Sequence, residues 1–200
     1  SLQQCELTFL ESEPIDMHKA TLQHEAYCAM LERCGAKVII LHENEALPDC
    51  VFVEDPIIVL DEVAILTSMG VASRREESQA MEAFFKAYRK VEQILLPARI
   101  EGGDVLKIGK TLFVGESART NLQGIQALRS IVSPFGYTVI SVKVTGCLHL
   151  KTGVTALDDT TVLINSKWVD AKAFEAFSQI DVDPREPFGA NVLKIGTTLC

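Results

Sequence analysis

The alternation of apolar and polar residues repeats along the chain. Residues 104–112 recur almost residue for residue as residues 191–199, and each copy has the pattern of two short strands around a glycine turn. Weaker relatives of this segment cover residues 51–67 and 152–165, where acidic residues occupy the turn. The pattern therefore predicts four β-hairpins.

The segments between the hairpins also repeat. Ser73 and Glu76 have the spacing of a capping box and predict a helix after the first hairpin. Thr120 or Asn121 would cap a helix after the second hairpin, and Asp170 would open one after the third. A short strand is predicted after each helix, at residues 91–96, 137–144 and 180–182. The repeating unit is therefore strand, strand, helix, strand, about 40 to 50 residues long.

The two ends of the chain hold partial copies of this unit. Residues 16–34 predict a helix and residues 37–41 a strand with no hairpin before them, and no helix follows the fourth hairpin. We therefore predict one catalytic domain over residues 1–200. It would comprise a half unit at 1–50, whole units at about 51–100, 101–148 and 149–187, and a half unit at 188–200. A ring of about five such units would protect every sheet edge.

Composition and charge exclude several classes of function. Lys and Arg number 19 against 27 Asp and Glu, a net charge of -8, so a nucleic-acid partner is not expected. The longest apolar runs are about five residues, far short of a membrane span, and the start has no signal-peptide pattern. The six cysteines include no closely spaced pair and predict reduced thiols in a cytoplasmic protein.

Residues with catalytic potential recur at the entries to the hairpins. They are Asp49, Glu54, Asp55, Glu101, Asp104 and His149. In a ring, equivalent positions converge on the axis, so these carboxylates and the imidazole would share one pocket. Taken singly, each residue has a structural alternative: the two glycines between Glu101 and Asp104 can simply form a turn, and His149 can be a core histidine.

Metal and cofactor sites are not indicated. Cys147 and His149 are predicted to lie on one face of a strand, but no second Cys or His pair supplies the other ligands that zinc needs. The glycine pattern is neither a dinucleotide fingerprint nor a phosphate loop. We therefore expect neither a metal nor a cofactor.

Five short motifs occur in order along the chain, at residues 48–55, 73–75, 101–104, 116–121 and 148–152. As a set they resemble the dimethylarginine dimethylaminohydrolases, a family of guanidino-group-modifying enzymes. The resemblance implies an α/β fold, a five-bladed pseudosymmetric α/β propeller of ββαβ units that is incomplete at both ends in this chain. This agrees with the repeat count.

The resemblance also implies a role for each site residue. His149 would be the general acid and base, and Glu101 would orient it. The implied substrate-binding residues are Leu7, Asp49, Glu54, Asp55, Arg74 and Arg119. The acidic residues would hold a planar guanidinium, the arginines would clamp an α-carboxylate, and the leucine would lie in a lid.

The reaction that the resemblance implies is hydrolysis of methylated arginine to citrulline. A cysteine thiolate would attack the guanidinium carbon and form a thiouronium intermediate. We expect this cysteine beyond residue 200, since the repeat aligns Cys200 with Phe113, a core position, and Cys147 is too near His149 along the chain. The 200 residues alone are therefore predicted to be inactive.

Two alternatives stay open at this point. The chain can be an arginine or agmatine deiminase-like enzyme, which would prefer an unmethylated guanidine. It can also be a non-catalytic pseudoenzyme that binds guanidino compounds. The sequence does not decide whether the protein forms a homodimer.

Overall fold

The computed structural model describes residues 5–6, 14–41 and 46–200. The chain divides into two compact units. The terminal unit comprises Ser1–Val51 and Val192–Cys200, and the middle unit comprises Phe52–Asn191. The prediction of one catalytic domain over residues 1–200 is not tested by this division and stays a prediction.

The middle unit contains three mixed sheets of three strands each. The strands are β1 (Ile57–Val59), β2 (Val63–Leu66) and β3 (Lys90–Gln93), then β4 (Val105–Ile108), β5 (Thr111–Glu116) and β6 (Thr138–Lys143), then β7 (Val154–Ala156), β8 (Thr161–Ile164) and β9 (Ser178–Asp181). In every sheet the first two strands form an antiparallel hairpin, and the third lies parallel to the second. The predicted three-stranded repeat is therefore confirmed, whereas closure of about five units into a ring stays a prediction.

A crossover segment joins the second and third strands of each sheet, as a parallel pair requires. The first is α2 (Glu77–Phe85) and the second is α3 (Leu122–Val132). The side chain of Asn121 caps α3, because its Oδ1 accepts the N–H of Gly124 at 2.8 Å. The predicted cap at this helix is therefore confirmed.

Two helix predictions were wrong in detail. Ser73 does not begin a helix through a capping box. It lies in a short 3-10 turn, Ala72–Arg74, and α2 begins at Glu77, because buried ion pairs of Arg74 shape this turn. After the third hairpin, Asp170 opens only the 3-10 turn Ala171–Phe174, since too few residues remain before β9 for a longer helix.

Strand β5 lies between two apolar clusters. Leu112 packs in the cluster that contains Ile65 and Leu128, and the next residue, Phe113, packs in the cluster that contains Phe174. Successive side chains of a strand point to opposite faces, so one strand serves both clusters. The rings of Phe113 and Phe174 stack with centroids 4.6 Å apart. This packing fixes the loops that precede and follow the second hairpin.

The terminal unit contains α1 (Met17–Arg33) and a hairpin of β10 (Lys194–Ile195) and β11 (Thr198–Leu199). The predicted helix over residues 16–34 is confirmed, and the carboxylate of Asp16 accepts the N–H of Lys19 at 3.1 Å and caps it. Among the described residues, no helix is long and apolar enough to cross a bilayer.

Two predictions in the terminal unit were wrong. Residues 37–41 do not form a strand, because no described segment pairs with their backbone. Cys200 is exposed rather than in a core, although its backbone pairs with Leu193. Within the described chain, this hairpin has only two strands, whereas Phe113 lies in a three-stranded sheet and stacks against Phe174.

Candidate active site

His149 lies at the turn between β6 and α4 (Leu150–Gly153). Its backbone is extended, with φ -133° and ψ 159°, and its carbonyl accepts the N–H of Thr152 and the Sγ–H of Cys147. Residues 146–149 form a bend, so the prediction that Cys147 and His149 share one strand face was wrong. The bend turns the imidazole into the interior, where only 8% of the residue is exposed.

The imidazole of His149 is paired with Glu101, as the resemblance implied. Its Nε2 lies 2.7 Å from Oε2 of Glu101, which is fully buried. The other carboxylate oxygen, Oε1, accepts the N–H of Gly70 at 2.8 Å and Nη1–H of Arg119 at 3.3 Å. Because three donors converge on Glu101, its carboxylate has a fixed direction before any substrate arrives.

Asp55 lies on the opposite side of the ring. Its Oδ1 is 4.0 Å from Nδ1 of His149, and its Oδ2 accepts Nη1–H of Arg74 at 2.9 Å. Residues from two different hairpin entries, Asp55 and Glu101, therefore flank one imidazole. Of the groups that the repeat argument placed at one point, the structure brings Asp55 and Glu101 against the imidazole of His149.

Gly103 makes this close approach possible. A Cβ atom built on Gly103 would lie 2.8 Å from Oδ1 of Asp55 and 2.8 Å from Cγ and Nδ1 of His149. Real Cβ atoms do not approach other atoms so closely, so any larger residue would push the ring or the carboxylate away. The glycine is therefore part of the site and not only a turn residue.

Burial and charge oppose each other in setting the pKa of His149. Burial lowers the pKa, but the hydrogen bond to Glu101 and the charges of Asp104, Asp55 and Glu101 outweigh it, so the pKa lies above 6.5. Burial raises the pKa of Glu101, but the hydrogen bond and charge of His149, together with Arg119, bring it below 4.5. Each residue of the pair therefore favours the charged form of the other, an imidazolium beside a carboxylate.

Arg74 is held by two carboxylates. Its Nε and Nη2 donate to Oε1 and Oε2 of Glu77 at 2.9 and 2.8 Å, while Nη1 donates to Asp55. The guanidinium is 3% exposed, and although burial lowers its pKa, Glu77 and Asp55 raise it overall. Sequence reasoning missed Glu77, although its position three residues after an arginine is a recognised signal for a helix-surface ion pair.

The two arginines lie against carboxylates of the cluster. Arg74 contacts Asp55 and Glu77, and Arg119 contacts Glu101. Both guanidinium groups are nearly fully buried. Their implied role as clamps for an α-carboxylate stays a prediction, and in the structure they fix the acidic side chains.

The remaining predicted residues lie outside this buried cluster. The side chain of Glu54 is 64% exposed and pairs with Nζ of Lys151 at 2.5 Å. Asp49 belongs to the terminal unit, where it is buried and accepts the N–H of Glu6 at 3.1 Å. Leu7 lies outside the described residues.

Cys147 is the single cysteine of the middle unit. It is buried, and its Sγ donates to the carbonyl of His149 at 3.2 Å. Burial and the charge of Asp104 raise the pKa of Cys147 to about 11. A thiol of this kind is a poor nucleophile near neutral pH, so the structure favours a packing role for Cys147.

Asp55, Glu101 and His149 can each offer one ligand atom, with all three atoms within 4.8 Å of one another. However, Nε2 of His149 and Oε2 of Glu101 face each other at hydrogen-bond distance, so the atoms that would bind an ion already share a proton. The arrangement fits a hydrogen-bonded pair better than a metal centre.

A cavity of about 430 Å³ lies between the first two hairpins. Its walls include Glu54, Gly102 and Lys151, together with apolar side chains of β1 and β4. None of the three clustered groups around His149 lines it. We therefore place the candidate site at the buried cluster, because the histidine that can accept and donate a proton near neutral pH lies there between two carboxylates.

Comparison with known proteins identifies the family. The sequence model of the family described as "Arginine deiminase" matches residues 43–194. An N(G),N(G)-dimethylarginine dimethylaminohydrolase from Pseudomonas aeruginosa is 35% identical over 180 residues, which cover 89% of this chain and 71% of that protein. The protein of the same name from Streptomyces coelicolor is 38% identical over 192 residues, which cover 95% of this chain and 73% of its own length.

Solved structures agree with the sequence comparison. The Pseudomonas aeruginosa dimethylarginine dimethylaminohydrolase, solved as a cysteine-to-serine mutant complexed with citrulline, matches with a TM-score of 0.91 at 32% identity. The match covers 96% of this chain and 76% of that one. The chain belongs to the amidinotransferase/arginine deiminase superfamily. Within that superfamily it is a member of the dimethylarginine dimethylaminohydrolase-like family.

Proposed function

We propose that this protein hydrolyses Nω-methylated arginines, asymmetric dimethylarginine and monomethylarginine, to citrulline and dimethylamine or methylamine. The observation that carries the proposal is the buried imidazole of His149 between Glu101, at 2.7 Å, and Asp55, at 4.0 Å. A histidine between two carboxylates can bind a guanidinium and transfer protons to and from its nitrogens.

Asp55 is the group proposed to receive the substrate guanidinium. Its carboxylate is held by Arg74 through Oδ2 alone, so Oδ1 faces His149. A guanidinium on Oδ1 would present its carbon and its departing nitrogen near the imidazole. Glu54, exposed and paired with Lys151, would close on the same cation once the substrate displaces the lysine. Asp49 and Leu7 keep their proposed contacts with the substrate.

His149 is proposed to serve first as acid and then as base. Glu101, Asp104 and Asp55 raise the pKa of His149, which favours the protonated ring that the first step of the proposed reaction uses. The attack forms a C–S bond, the C–N bond to dimethylamine breaks, and the ring proton goes to that nitrogen. The neutral ring then takes a proton from water, whose oxygen bonds to the carbon as the C–S bond breaks and releases citrulline.

The thiolate is proposed to come from a cysteine outside the middle unit. Cys147 is unsuited, since it is buried and its pKa is raised to about 11. The sequence interpretation places the nucleophile beyond residue 200. In the same proposal, the three sheets of the middle unit are consecutive blades of an α/β propeller of about five blades.

Product formation tests the proposal. The ureido product, citrulline from asymmetric dimethylarginine, monomethylarginine or arginine and N-carbamoylputrescine from agmatine, is measured for residues 1–200 and for a protein that continues to the next cysteine. We expect no turnover by residues 1–200, turnover of methylated arginines by the longer protein, and a fall in kcat of about 10²- to 10⁴-fold in His149→Gln. Citrulline release by residues 1–200 alone would contradict the proposed position of the nucleophile.

A deiminase acting on arginine is the second candidate. The family model that matches residues 43–194 is that of arginine deiminase, which favours this candidate. The same site would then release ammonia, and arginine would outcompete dimethylarginine. A pseudoenzyme would bind either compound without turnover in the longer protein, so the same assay separates all three functions.

A further inference from the structure

Asp104 is a fully buried carboxylate beside the site that the proposed reaction does not use. It ends the 3-10 turn Gly102–Asp104, which follows Glu101 directly. A buried carboxylate destabilises a fold unless its oxygens accept hydrogen bonds. Donors from two other segments of the middle unit surround Asp104 and satisfy this requirement.

One oxygen of Asp104 connects the second hairpin to the loop that carries Arg119. The hydroxyls of Ser117 and Thr120 both donate to Oδ2 at 2.7 Å. Oγ1 of Thr120 in turn accepts the N–H of Glu101 at 3.2 Å. Asp104 therefore fixes the backbone of Glu101 relative to the loop whose arginine contacts the Glu101 carboxylate.

The other oxygen of Asp104 reaches the turn that carries His149. Oδ1 accepts the N–H of Leu150, the next residue, at 2.9 Å. The His149 carbonyl is held on the same side by the N–H of Thr152 at 3.1 Å and by Sγ of Cys147 at 3.2 Å. Because a side chain starts from its backbone in one of a few rotamers, an anchored backbone sets the direction of the imidazole.

We propose that Asp104 is a positioning residue for His149, which it aims at Glu101 by anchoring the Leu150 amide. The proposal rests on the proposed function for its catalytic meaning, but the geometry that it asserts does not require turnover. Asp104 does not touch the reacting atoms. It acts through His149, and it joins the three segments that supply Glu101, Arg119 and His149.

The neighbouring Gly115 supports this assignment. A Cβ atom built on Gly115 in β5 would lie 2.6 Å from Oδ1 of Asp104 and 3.0 Å from Cβ of Leu150. The absence of a side chain there leaves room for the contact between Asp104 and Leu150. The charge of Asp104 also raises the pKa of His149, as does the larger effect of the hydrogen bond to Glu101, while burial opposes both.

Two variants separate the effect of the position of the Asp104 carboxylate on His149 from the effect of its charge. Asp104→Asn keeps the size of the side chain and an oxygen for Leu150 but removes the charge. Gly115→Ala keeps the charge and displaces the carboxylate from Leu150. Asp61→Asn is the matched control, because it makes the same chemical change on a turn where the side chain is 76% exposed.

The readout is the NMR signal of the His149 ring in the unliganded protein, assigned among the four histidines by its loss in His149→Gln. In Asp104→Asn we expect a lower pKa of His149, because the variant removes one of the negative charges that raise it and leaves Asp55 and Glu101 unchanged. In Gly115→Ala we expect the Nε2–H signal of the bond to Glu101 to broaden or vanish and the Leu150 amide to lose protection from exchange. Asp61→Asn should resemble the wild type.

A purely structural carboxylate would give a different result. Removing it would lower stability and leave the His149 ring of the folded protein unchanged. Wild-type ring shifts and Leu150 exchange in folded Gly115→Ala would overturn the proposal, and if Gly115→Ala does not fold, the same two signals decide in Asp104→Ala, which removes the acceptor of the Leu150 amide. Failure of the proposed hydrolysis would appear as absent turnover in the longer wild-type protein, a result that these spectra do not depend on.

Discussion

The imidazole Nε2 of His149 lies 2.7 Å from Oε2 of Glu101, and both residues are buried in the middle unit. The pair connects the entry of the second hairpin to the turn before α4. Its charges reinforce each other, since each residue shifts the pKa of the other towards the charged form.

The stability of the protein should fall as pH rises through the pKa of His149. The folded-state pKa lies above 6.5, so protonated His149 stabilises the fold below pH 6.5, and this contribution is lost as pH rises through the raised pKa. Urea unfolding from about pH 6 to pH 9 measures it. In Glu101→Gln the loss should begin at lower pH, and an unchanged profile would contradict the pairing.

Arg74→Met should destabilise the protein by about 3 to 5 kcal/mol, because it leaves the buried carboxylates of Asp55 and Glu77 without their partner. Chemical denaturation measures the free energy of unfolding. Arg185→Met is the matched control, since the Arg185 side chain is 88% exposed and its ion pair with Asp183 lies in solvent. Equal stability of the two variants would show that the Arg74 pairs do not hold the site.

Gly103→Ala should disturb the site, because its Cβ would meet Asp55 and His149 at 2.8 Å. We expect displacement of the His149 ring from Glu101, seen as a shifted ring signal in NMR spectra and as dimethylarginine affinity weakened at least about tenfold. Gly109→Ala is the control: it is strained at φ +57°, but no atom lies within 4 Å of its added Cβ. A ring signal and affinity in Gly103→Ala equal to those of the control would be incompatible with the proposed packing.

Cys147 should react slowly with iodoacetamide at pH 8, because its thiol is buried and its pKa is raised to about 11. The exposed Cys200 gives the comparison within the same molecule. Mass spectrometry of digested samples taken over time measures both rates. Fast alkylation of Cys147 in the folded protein would reopen its assignment as the nucleophile.

Local patterns predicted much of the fold. The hairpins around Asp61 and Gly109 follow from alternation and turn residues, and the cap at Asn121 follows from short-range spacing. The failed strand at residues 37–41 shows the limit of such patterns. A strand requires a partner from a distant part of the chain, and an alternating segment does not reveal whether that partner is present.

The sequence predicted only part of the site, because some of its contacts follow from the repeat and others depend on how distant loops approach each other. Asp55, Glu101 and His149 occupy equivalent places in a repeat, so their convergence follows from the fold. The hydrogen bond from Gly70 to Glu101 depends on a backbone approach between distant loops, and no sequence spacing encodes it. The capping-box interpretation of Glu76 hid the ion pair that the next residue, Glu77, forms with Arg74.

Calorimetric titration of asymmetric dimethylarginine measures recognition of the substrate by the 200 residues themselves, because binding does not require the nucleophile. The account predicts that the 200-residue protein binds dimethylarginine, that Asp55→Asn weakens the affinity at least about tenfold, and that Asp61→Asn, the same change on an exposed turn, leaves it unchanged. Equal affinity of Asp55→Asn and wild type, or no binding by the wild type, would contradict the account.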